Sequence, residues 1–345
     1  MNRMYYVGID YHKSVAVACI IDGKGKELET IELPSTPEGM DMFIGKMGKK
    51  KFKVLGEAFT YSIDLHNHLI GKGVSSELVR PTDLKLITLS KKKTDKNDAA
   101  TIAWYLRMKE TDQIKLNYSF ILKDKQLEFR SVCRLREKIS DLKGQMSQQI
   151  KSHMRCNGEY LPVKEFGDKP KMSVKRVQKY IIENFDGDFT LQEYLREYIY
   201  LEERSKEVEK EMTRFEFDKE AVRLLETIPG IGELSAMELM SMIVDISRFP
   251  SSDVMRAYFG MAPKVRDSGD DVNHGHVTKQ GDPMMRHVAD RVVRLHLMHS
   301  DESVIRKSYE SVRKRSNHGV AMMAASNKLL DVIFSVLSNK KPYYC

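Results

Sequence analysis

The chain has 345 residues, enough for two or three domains, and its 41% hydrophobic and 31% charged residues are typical of a globular protein. Its 57 Lys and Arg residues against 49 Asp and Glu residues give a net charge of +8, which suits a polyanionic partner. No apolar run approaches the roughly 20 residues of a membrane span, and the N-terminus leads into a strand pattern rather than a signal peptide. Four scattered cysteines form neither a zinc motif nor a disulfide framework, so we expect a cytoplasmic protein without a membrane partner.

Residues 1–110 alternate between strand and helix patterns. Three antiparallel strands, followed by helix, strand, helix, strand and helix, give the order of a ribonuclease-H-like, or RuvC-like, domain. The sequence therefore predicts an α/β domain over residues 1–110, followed by a mostly α-helical remainder. Strands are predicted at residues 5–10, 15–21, 29–33, 53–58 and 77–80, and helices at residues 37–47, 62–71 and 94–108.

Four acidic side chains stand at the boundaries of these elements. Asp10 and Glu57 each end an apolar run, and Asp95 and Asp98 lie three residues apart at the start of the last helix. Burying a carboxylate is costly unless a cation or hydrogen bonds offset the lost hydration. Two strand ends and one helix face can together supply hard oxygen ligands for Mg²⁺ or Mn²⁺. We therefore predict a divalent-metal site that acts on phosphodiesters.

Each acid also has an ordinary explanation when it is taken singly. Asp10 fits a turn residue at a strand end, and Glu57 fits the partner of a lysine. Asp95 and Asp98 fit first-turn acids that the helix dipole favours. Three lysines precede the acidic pair and fit either neutralisation of phosphates or a solvated loop. These are Lys91, Lys92 and Lys93.

Residues 111–220 are predicted to be a helical dimerisation region. Apolar residues repeat at spacings of three and four over two stretches, one from Val132 to Met146 and one from Leu191 to Phe215. Repeats of that length indicate a coiled coil or long paired helices. Their apolar seams need partners, so we predict a homo-oligomer, either a dimer or a tetramer.

The region 221–345 contains a glycine turn between two helical patterns. The run from Ile228 to Gly232 is typical of a helix-hairpin-helix, in which Gly230 and Gly232 let backbone N–H groups approach a phosphate. A tight turn without a ligand is the alternative. Farther along, the helix that carries Arg286 is predicted to contact a DNA backbone, and an ordinary amphipathic helix is the alternative there.

Ser268 lies in a polar stretch, residues 263–271, which the sequence alone describes only as a turn with one serine among charged residues. Arg266 and Lys279 are the nearest cations in the sequence that can stabilise the charge of a phosphate. The residue pattern by itself does not assign this serine a catalytic role.

The two motif sets together resemble the DEDD-type transposases of the insertion-sequence-110 family, which includes the Piv-type DNA invertases. In the first region the resemblance rests on the four acids with their neighbours, and in the last region on the glycine turn and Ser268-Gly269. The family pattern often has two serines before this glycine, and Asp267 stands at the first of them, so Ser268 is the candidate. The matching stretches are residues 8–13, 57, 93–99, 228–232, 245–249, 257–263, 268–269 and 278–282.

The resemblance implies a mechanism and a set of partners. Members of this family bind divalent metal through the four acids and use the serine as a nucleophile on DNA, in one composite site of an oligomer. Their middle helices dimerise as a coiled coil, and a structured bridge RNA pairs with both target and donor DNA. The implied catalytic residues are therefore Asp10, Glu57, Asp95, Asp98 and Ser268.

Two other classes of function remain open at this point. One is a RuvC-like junction-resolving nuclease, in which the four acids hydrolyse DNA with water and Ser268 is inert. A covalent protein–DNA adduct distinguishes the serine mechanism from this one. The other is a non-catalytic nucleic-acid-binding scaffold, which metal-dependent strand cleavage excludes.

Overall fold

The structure is a computed structural model that describes residues 4–59, 61–80, 95–114, 120–167, 171–268, 271–278 and 281–344. For residues 95–96, 263–268 and 271–276 it describes the backbone alone. The chain divides into two units, Met1–Leu122 and Lys123–Cys345.

Five strands of the first unit form one mixed sheet. β1 (Met4–Tyr11), β2 (Val15–Ile21) and β3 (Glu27–Pro34) form an antiparallel meander, whereas β4 (Lys51–Glu57) and β5 (Ser75–Val79) run parallel to β1. The strand order is β3-β2-β1-β4-β5. This order confirms the predicted ribonuclease-H-like arrangement of the first unit.

Helices cover both faces of the sheet because apolar side chains alternate between the faces along each strand. The described helices of this unit are α1 (Pro37–Met47), α2 (Ser62–Gly71) and α3 (Asp95–Glu110). Ile9 packs with Phe43 of α1 and Leu69 of α2 on one face. Leu55 packs with Ile102 of α3 on the other face. The sheet is therefore the middle layer of an α/β/α unit.

The second unit is mostly helical and contains one two-stranded hairpin, β6 (Pro263–Ser268) and β7 (Asp271–Val277). A short 3₁₀ turn, Ile246–Arg248, lies between two of its helices. The described helices are α4 (Asp124–Cys156), α5 (Val163–Phe166), α6 (Lys175–Asn184), α7 (Phe189–Met212), α8 (Lys219–Glu226), α9 (Glu233–Ile243), α10 (Ser252–Tyr258), α11 (Pro283–His299), α12 (Val304–Arg313) and α13 (His318–Asn339).

The two predicted heptad stretches pack against each other within one chain. His153 near the end of α4 lies 2.7 Å, Nε2 to Oδ2, from Asp188 just before α7, so the two helices run antiparallel. Ile139 of α4 and Leu201 and Val208 of α7 are buried in one cluster between them. The apolar seams thus have a partner inside the chain, and oligomerisation through this region stays a prediction.

The first turns of α4 share a hydrophobic core with the C-terminal helices. Phe129 and Cys133 of α4 are buried with Met212 at the end of α7 and with Leu239 of α9. Residues 123–345 accordingly form one compact unit. The predicted division into regions 1–110, 111–220 and 221–345 stays a prediction about functional regions.

Buried ion pairs join α4, α9 and α11. The Glu238 carboxylate is fully buried, and it accepts hydrogen bonds from Arg136 (Nη1 to Oε1, 2.8 Å) and from Arg291. Burial raises the pKa of Glu238, and the two guanidinium groups oppose that rise. Arg291 also donates to Glu137 across 2.7 Å. The Arg291 guanidinium is therefore paired with two carboxylates of the same unit, with 31% of its side chain exposed.

Among the described helices, α13 is long enough and apolar enough to cross a membrane, with a mean hydropathy of 1.6 over its most apolar stretch. However, 56% of that stretch is buried, and Leu329, Leu330 and Ile333 lie in the core of the unit. The burial of α13 is typical of a core helix.

Candidate active site

Asp10 and Glu57 stand side by side on neighbouring strands. The parallel pairing of β1 with β4 ends with Ile9 opposite Gly56, so the next residues, Asp10 and Glu57, continue that register. Residues at one level of adjacent strands point to the same face and lie about 4.8 Å apart at the backbone. Only 6% of Asp10 is exposed, and Glu57 is half-buried. Two acidic residues therefore occupy neighbouring positions at the carboxyl edge of the sheet.

Helix α3 places its first turn over the same edge of the sheet. Gly8 of β1 is pressed against α3, since a Cβ on Gly8 would lie 2.2 Å from the Ala99 carbonyl oxygen. At the far end of α3, Glu110 accepts a hydrogen bond from Lys53 at the start of β4. The helix therefore runs antiparallel to β1 and β4, and its N-terminal turn lies at their carboxyl ends.

Asp98 directly precedes Ala99 in that first turn, and its side chain is half-buried. Asp95 begins α3 one turn earlier, and its side chain lies outside the described ones. The backbone thus brings three strand and helix positions of the predicted set, Asp10, Glu57 and Asp98, to one edge of the sheet. Lys91, Lys92 and Lys93 lie outside the described residues.

His12 is a member of this site that the sequence reasoning missed. Its Nε2 lies 3.1 Å from Oδ2 of Asp10, with the His12 side chain about half exposed and the Asp10 side chain buried. The signal available in the sequence was its position, because His12 follows Asp10 by two residues, just beyond the end of β1. The imidazole orients the Asp10 carboxylate.

The carboxylates of this edge fit a hard divalent cation. Asp10 and Glu57 supply oxygen atoms from rigid strands, and adjacent carboxylates repel each other unless positive charge balances them. Asp98 adds a third carboxylate from the helix start, where the helix dipole favours an anion. Mg²⁺ and Mn²⁺ prefer such oxygen ligands.

Within the described part of the chain, a different trio has ligand atoms within 4.8 Å of one another: Glu137, Asp141 and His287. It belongs to the second unit, and the Glu137 carboxylate there is already paired with Arg291 at 2.7 Å. The charge of that carboxylate is balanced by a guanidinium group, so a metal ion has less to compensate at this trio than at the sheet edge.

Ser268 is the last residue of β6, at the tip of the hairpin. It pairs with Asp271 of β7 across the two-residue connection 269–270, which lies outside the described residues. Arg266 pairs with Asn273 in the same ladder. The sequence pattern predicts a turn here without the strands beside it. The missed signal was Gly269-Asp270, a dipeptide typical of two-residue hairpin connections.

The base of this hairpin is tied to helices on both sides. The Thr278 backbone N–H donates to the Ala262 carbonyl across 3.1 Å, and Asn327 Nδ2 of α13 donates to the Met261 carbonyl across 3.1 Å. Arg286 of α11 donates to the Phe259 carbonyl across 3.1 Å. The Arg286 guanidinium therefore has an intrachain role, and its contact with DNA stays a prediction. Lys279 lies outside the described residues.

The glycine turn before α9 packs against α11. Gly230 has a φ of +93°, and a Cβ there would lie 2.7 Å from the backbone nitrogen of His296. This close approach explains why position 230 requires glycine. Gly232 is exposed, caps α9, and has open space around the position of a Cβ. A phosphate contact at Gly230 and Gly232 stays a prediction.

Two family models match the chain in separate segments. A model described as a transposase, for DEDD transposases of the IS110 type, matches residues 7–156, which include the sheet edge with Asp10, Glu57 and Asp98. A model described as the transposase IS116/IS110/IS902 family matches residues 222–310, which include the serine hairpin and the glycine turn.

Curated relatives show the same likeness. The transposase for insertion sequence element IS1111A of Coxiella burnetii is 24% identical over 358 residues, covering 100% of this chain and 93% of that protein. The transposase for IS1328 of Yersinia enterocolitica is 28% identical over 148 residues, which cover 40% of this chain and 42% of that protein. An uncharacterized 44.8 kDa protein of insertion element IS116 from Streptomyces clavuligerus is 23% identical over 144 residues, or 41% of this chain and 35% of that protein.

Proposed function

Since the chain belongs to the IS116/IS110/IS902 family of transposases, we propose that it recombines insertion-sequence DNA through a serine nucleophile and a DEDD metal site. As a DNA transposase, it cleaves and transfers phosphodiester strands. The observation that carries the metal site is the register of β1 and β4, which sets Asp10 beside Glu57 beneath the first turn of α3.

The proposed metal ligands are the carboxylates of Asp10, Glu57, Asp95 and Asp98, with Mg²⁺ or Mn²⁺ as the cofactor. When bound, such an ion stabilises negative charge on the phosphoryl oxygens during transfer. His12 holds the Asp10 carboxylate through its 3.1 Å contact. The parallel strands fix the spacing of Asp10 and Glu57 before any substrate arrives, so little reorganisation is needed.

The proposed nucleophile is Ser268. Its Oγ attacks the phosphorus of the scissile phosphodiester, so one O–P bond to serine forms and one P–O bond to deoxyribose breaks. The serine proton passes to a base, and the released DNA oxygen takes up a proton. The phosphoserine link keeps the phosphodiester energy, so an incoming DNA hydroxyl can attack it and restore the serine. Its position as the last residue of β6, beside a hairpin turn, supports this role, because catalytic residues are often carried on turns.

The proposed partners are donor DNA, target DNA, a structured bridge RNA and further copies of the chain. The net charge of +8 supports a polyanionic partner. The Lys91–Lys93 run, Gly230 with Gly232, Arg266, Lys279 and Arg286 are proposed nucleic-acid contacts. In this scheme base pairing with the RNA selects the sequence, and the protein recognises nucleic-acid shape.

The decisive experiment traps the reaction on a nicked or mismatched DNA and looks for a denaturant-resistant protein–DNA species. We expect the adduct with the wild-type protein and with Ser311→Ala, an exposed serine of the same unit. Ser268→Ala should lose the adduct and recombination while it keeps DNA binding. Metal-dependent cleavage at the wild-type rate by Ser268→Ala, without an adduct, would instead identify a junction-resolving nuclease that uses water.

A second experiment tests the bridge RNA. RNA that copurifies with the protein should map beside its gene, and binding should weaken with salt as counterions are released. Recombination that continues unchanged in a purified system after ribonuclease treatment, with no RNA added, would contradict guidance by RNA.

A further inference from the structure

Exposed lysines collect at the end of the sheet away from Asp10 and Glu57. The turn before β4 and the β2–β3 turn both lie at this end, because Met4 pairs with Lys51 and a Cβ on Gly23 would lie 3.9 Å from the Met4 carbonyl oxygen. We call the lysines of these two turns the distal basic surface. They are Lys24, Lys26, Lys49, Lys50 and Lys51, all exposed.

The β2–β3 turn presents its lysines from a fixed backbone. Oδ1 of Asp22 accepts the backbone N–H of Lys24 across 2.9 Å and that of Lys26 across 3.0 Å. Gly25, with a φ of +87°, donates its N–H to the Asp22 carbonyl across 2.9 Å. Asp22 itself is only 8% exposed, so its charge organises the turn from inside. Both lysine side chains leave the turn toward solvent.

An aromatic ring adjoins these lysines. Trp104 of α3 is the single tryptophan of the chain and is 42% exposed. One edge of its ring lies against Gly25, where a Cβ would be 2.5 Å from the indole. The Arg107 guanidinium lies over one face of the ring, 5.2 Å from its centroid, and donates Nε–H to the Gly23 carbonyl across 3.0 Å, so a stacked base would use the opposite face. Trp104 is thus a fixed, partly open ring amid positive charge.

We propose that the distal basic surface binds single-stranded nucleic acid, with an unpaired base stacked on Trp104 and phosphates on Lys24 and Lys26. Sites for single strands combine a stacking aromatic ring with a positively charged track for the backbone. A base inside a duplex has no free face for the indole, so the surface selects unpaired nucleotides.

This surface is separate from the candidate active site. Six residue steps along β1 separate Met4 from Asp10, about 20 Å at roughly 3.3 Å per residue. None of the residues of the distal basic surface belongs to the proposed catalytic set. The inference rests on the nucleic-acid substrate of the proposed function, and it assigns a second anchoring point on that substrate.

The test titrates the full-length protein with an unlabelled oligothymidine of about 12 nucleotides in EDTA, and follows Trp104 emission. Stacking quenches indole emission, so we expect saturable quenching. Lys24→Ala with Lys26→Ala should lower the salt dependence of log Kd by roughly 1.4, from about 0.7 per phosphate contact of a single strand. Lys206→Ala with Lys210→Ala removes the same charge from the exposed side of α7 and should behave as wild type.

A second variant removes the ring. Trp104→Ala should weaken binding of a fluorescein-labelled strand about 5- to 150-fold by anisotropy, the range expected for loss of one stacked base. The loss of the ring also opens space over Gly25. The variant of Lys24 and Lys26 leaves the ring in place, so it tests the surface independently. A matching oligouridine tells whether RNA or DNA is the better ligand.

Three results would overturn the inference: unchanged emission at saturating oligothymidine, equal quenching by a blunt duplex, or equal losses in the α7 lysine variant. Asp10→Asn should be quenched as wild type, since no catalysis is involved. A protein that cleaves DNA without quenching would refute this inference alone. A protein that is quenched but never cleaves DNA would refute the proposed function alone.

Discussion

Gly8 and Ala99 lie in backbone contact, so that a Cβ on Gly8 would be 2.2 Å from the Ala99 carbonyl oxygen and 2.3 Å from the Ala103 nitrogen. This contact sets how closely α3 approaches β1. Asp98 is the residue before Ala99, so the same contact sets how far Asp98 lies from Asp10. The glycine positions a carboxylate without being a ligand itself.

We expect Gly8→Ala to push α3 away from the sheet and to impair strand cleavage while leaving every carboxylate in place. Overpacking of this kind costs about 1–3 kcal/mol or more in free energy of unfolding. Urea unfolding and a metal-dependent cleavage assay measure the two effects. Gly45→Ala is the matched control, because it lies in α1 with open space around its Cβ position and should be neutral or slightly stabilising. Wild-type cleavage by Gly8→Ala would show that the α3 contact does not set the site.

Asp10→Asn should abolish metal-dependent cleavage, by roughly 100-fold or more, because it removes a charged ligand without changing side-chain volume. The fold should persist, since asparagine has nearly the volume of aspartate and its amide can still contact His12. Cleavage rates and the thermal midpoint separate the two effects. Asp64→Asn, which changes an exposed acid of the same unit, should cleave at the wild-type rate. Full activity of Asp10→Asn would place the metal ligands elsewhere.

The sheet could be predicted because its order follows from local patterns. Short apolar runs mark β1 and β2, and turn residues such as Gly23 and Gly25 separate β2 from β3. The nearness of Asp10 and Glu57 followed from that order, since parallel strands end at the same edge. Residue spacing alone does not predict how closely α3 packs on the sheet, because that distance depends on the absence of a Cβ at Gly8.

The periodic sequence pattern does not predict two features of the second unit. A heptad repeat reports that an apolar stripe needs a partner, but not whether the partner is another chain, and here Ile139 meets Leu201 and Val208 within the chain. The role of Gly230 was open for a similar reason. A glycine signals close approach, and only the fold reveals that the approaching group is the backbone of His296.

The intrachain seam leads to a prediction that separates stability from assembly. Val208→Lys buries a charge between α4 and α7, so it should destabilise the second unit by about 2–5 kcal/mol. Leu135 belongs to the same heptad pattern but is 46% exposed. Leu135→Lys should therefore leave the unfolding free energy nearly unchanged, and it should weaken the predicted oligomer if the open side of α4 forms the contact. Light scattering measures the oligomeric state, and urea unfolding measures the free energy of unfolding. An unaltered oligomer in Leu135→Lys would exclude that face.

His296 links the glycine turn to the start of α12. It is fully buried, its Nδ1 donates to the Pro229 carbonyl across 2.7 Å, and its Nε2 accepts from the Ser303 hydroxyl across 2.7 Å. The carbonyl cannot donate, so Nδ1 carries a hydrogen, and in the neutral ring Nε2 is left to accept from the Ser303 hydroxyl. Burial lowers the pKa of His296, and the bond to Pro229 opposes that shift.

The lowered pKa makes stability fall in acid. Below about pH 6.5 the unfolded chain binds a proton at position 296 that the folded chain does not yet bind. The contribution of His296 is therefore complete above that pH and is lost as pH falls toward the folded pKa, at up to about 1.4 kcal/mol per pH unit. His296→Gln should be less stable than wild type at about pH 7.5, but its unfolding free energy should fall less steeply between about pH 7.5 and about pH 5.5. This range brackets the pKa of free histidine, which is roughly 6.5. His299→Gln, an exposed histidine of the same helix, should follow the wild-type curve. Urea unfolding across this range measures all three proteins, and other histidines, including buried His66, cancel in the comparison because the variants share them. Parallel curves for wild type and His296→Gln would show that His296 does not bind protons differently in the two states.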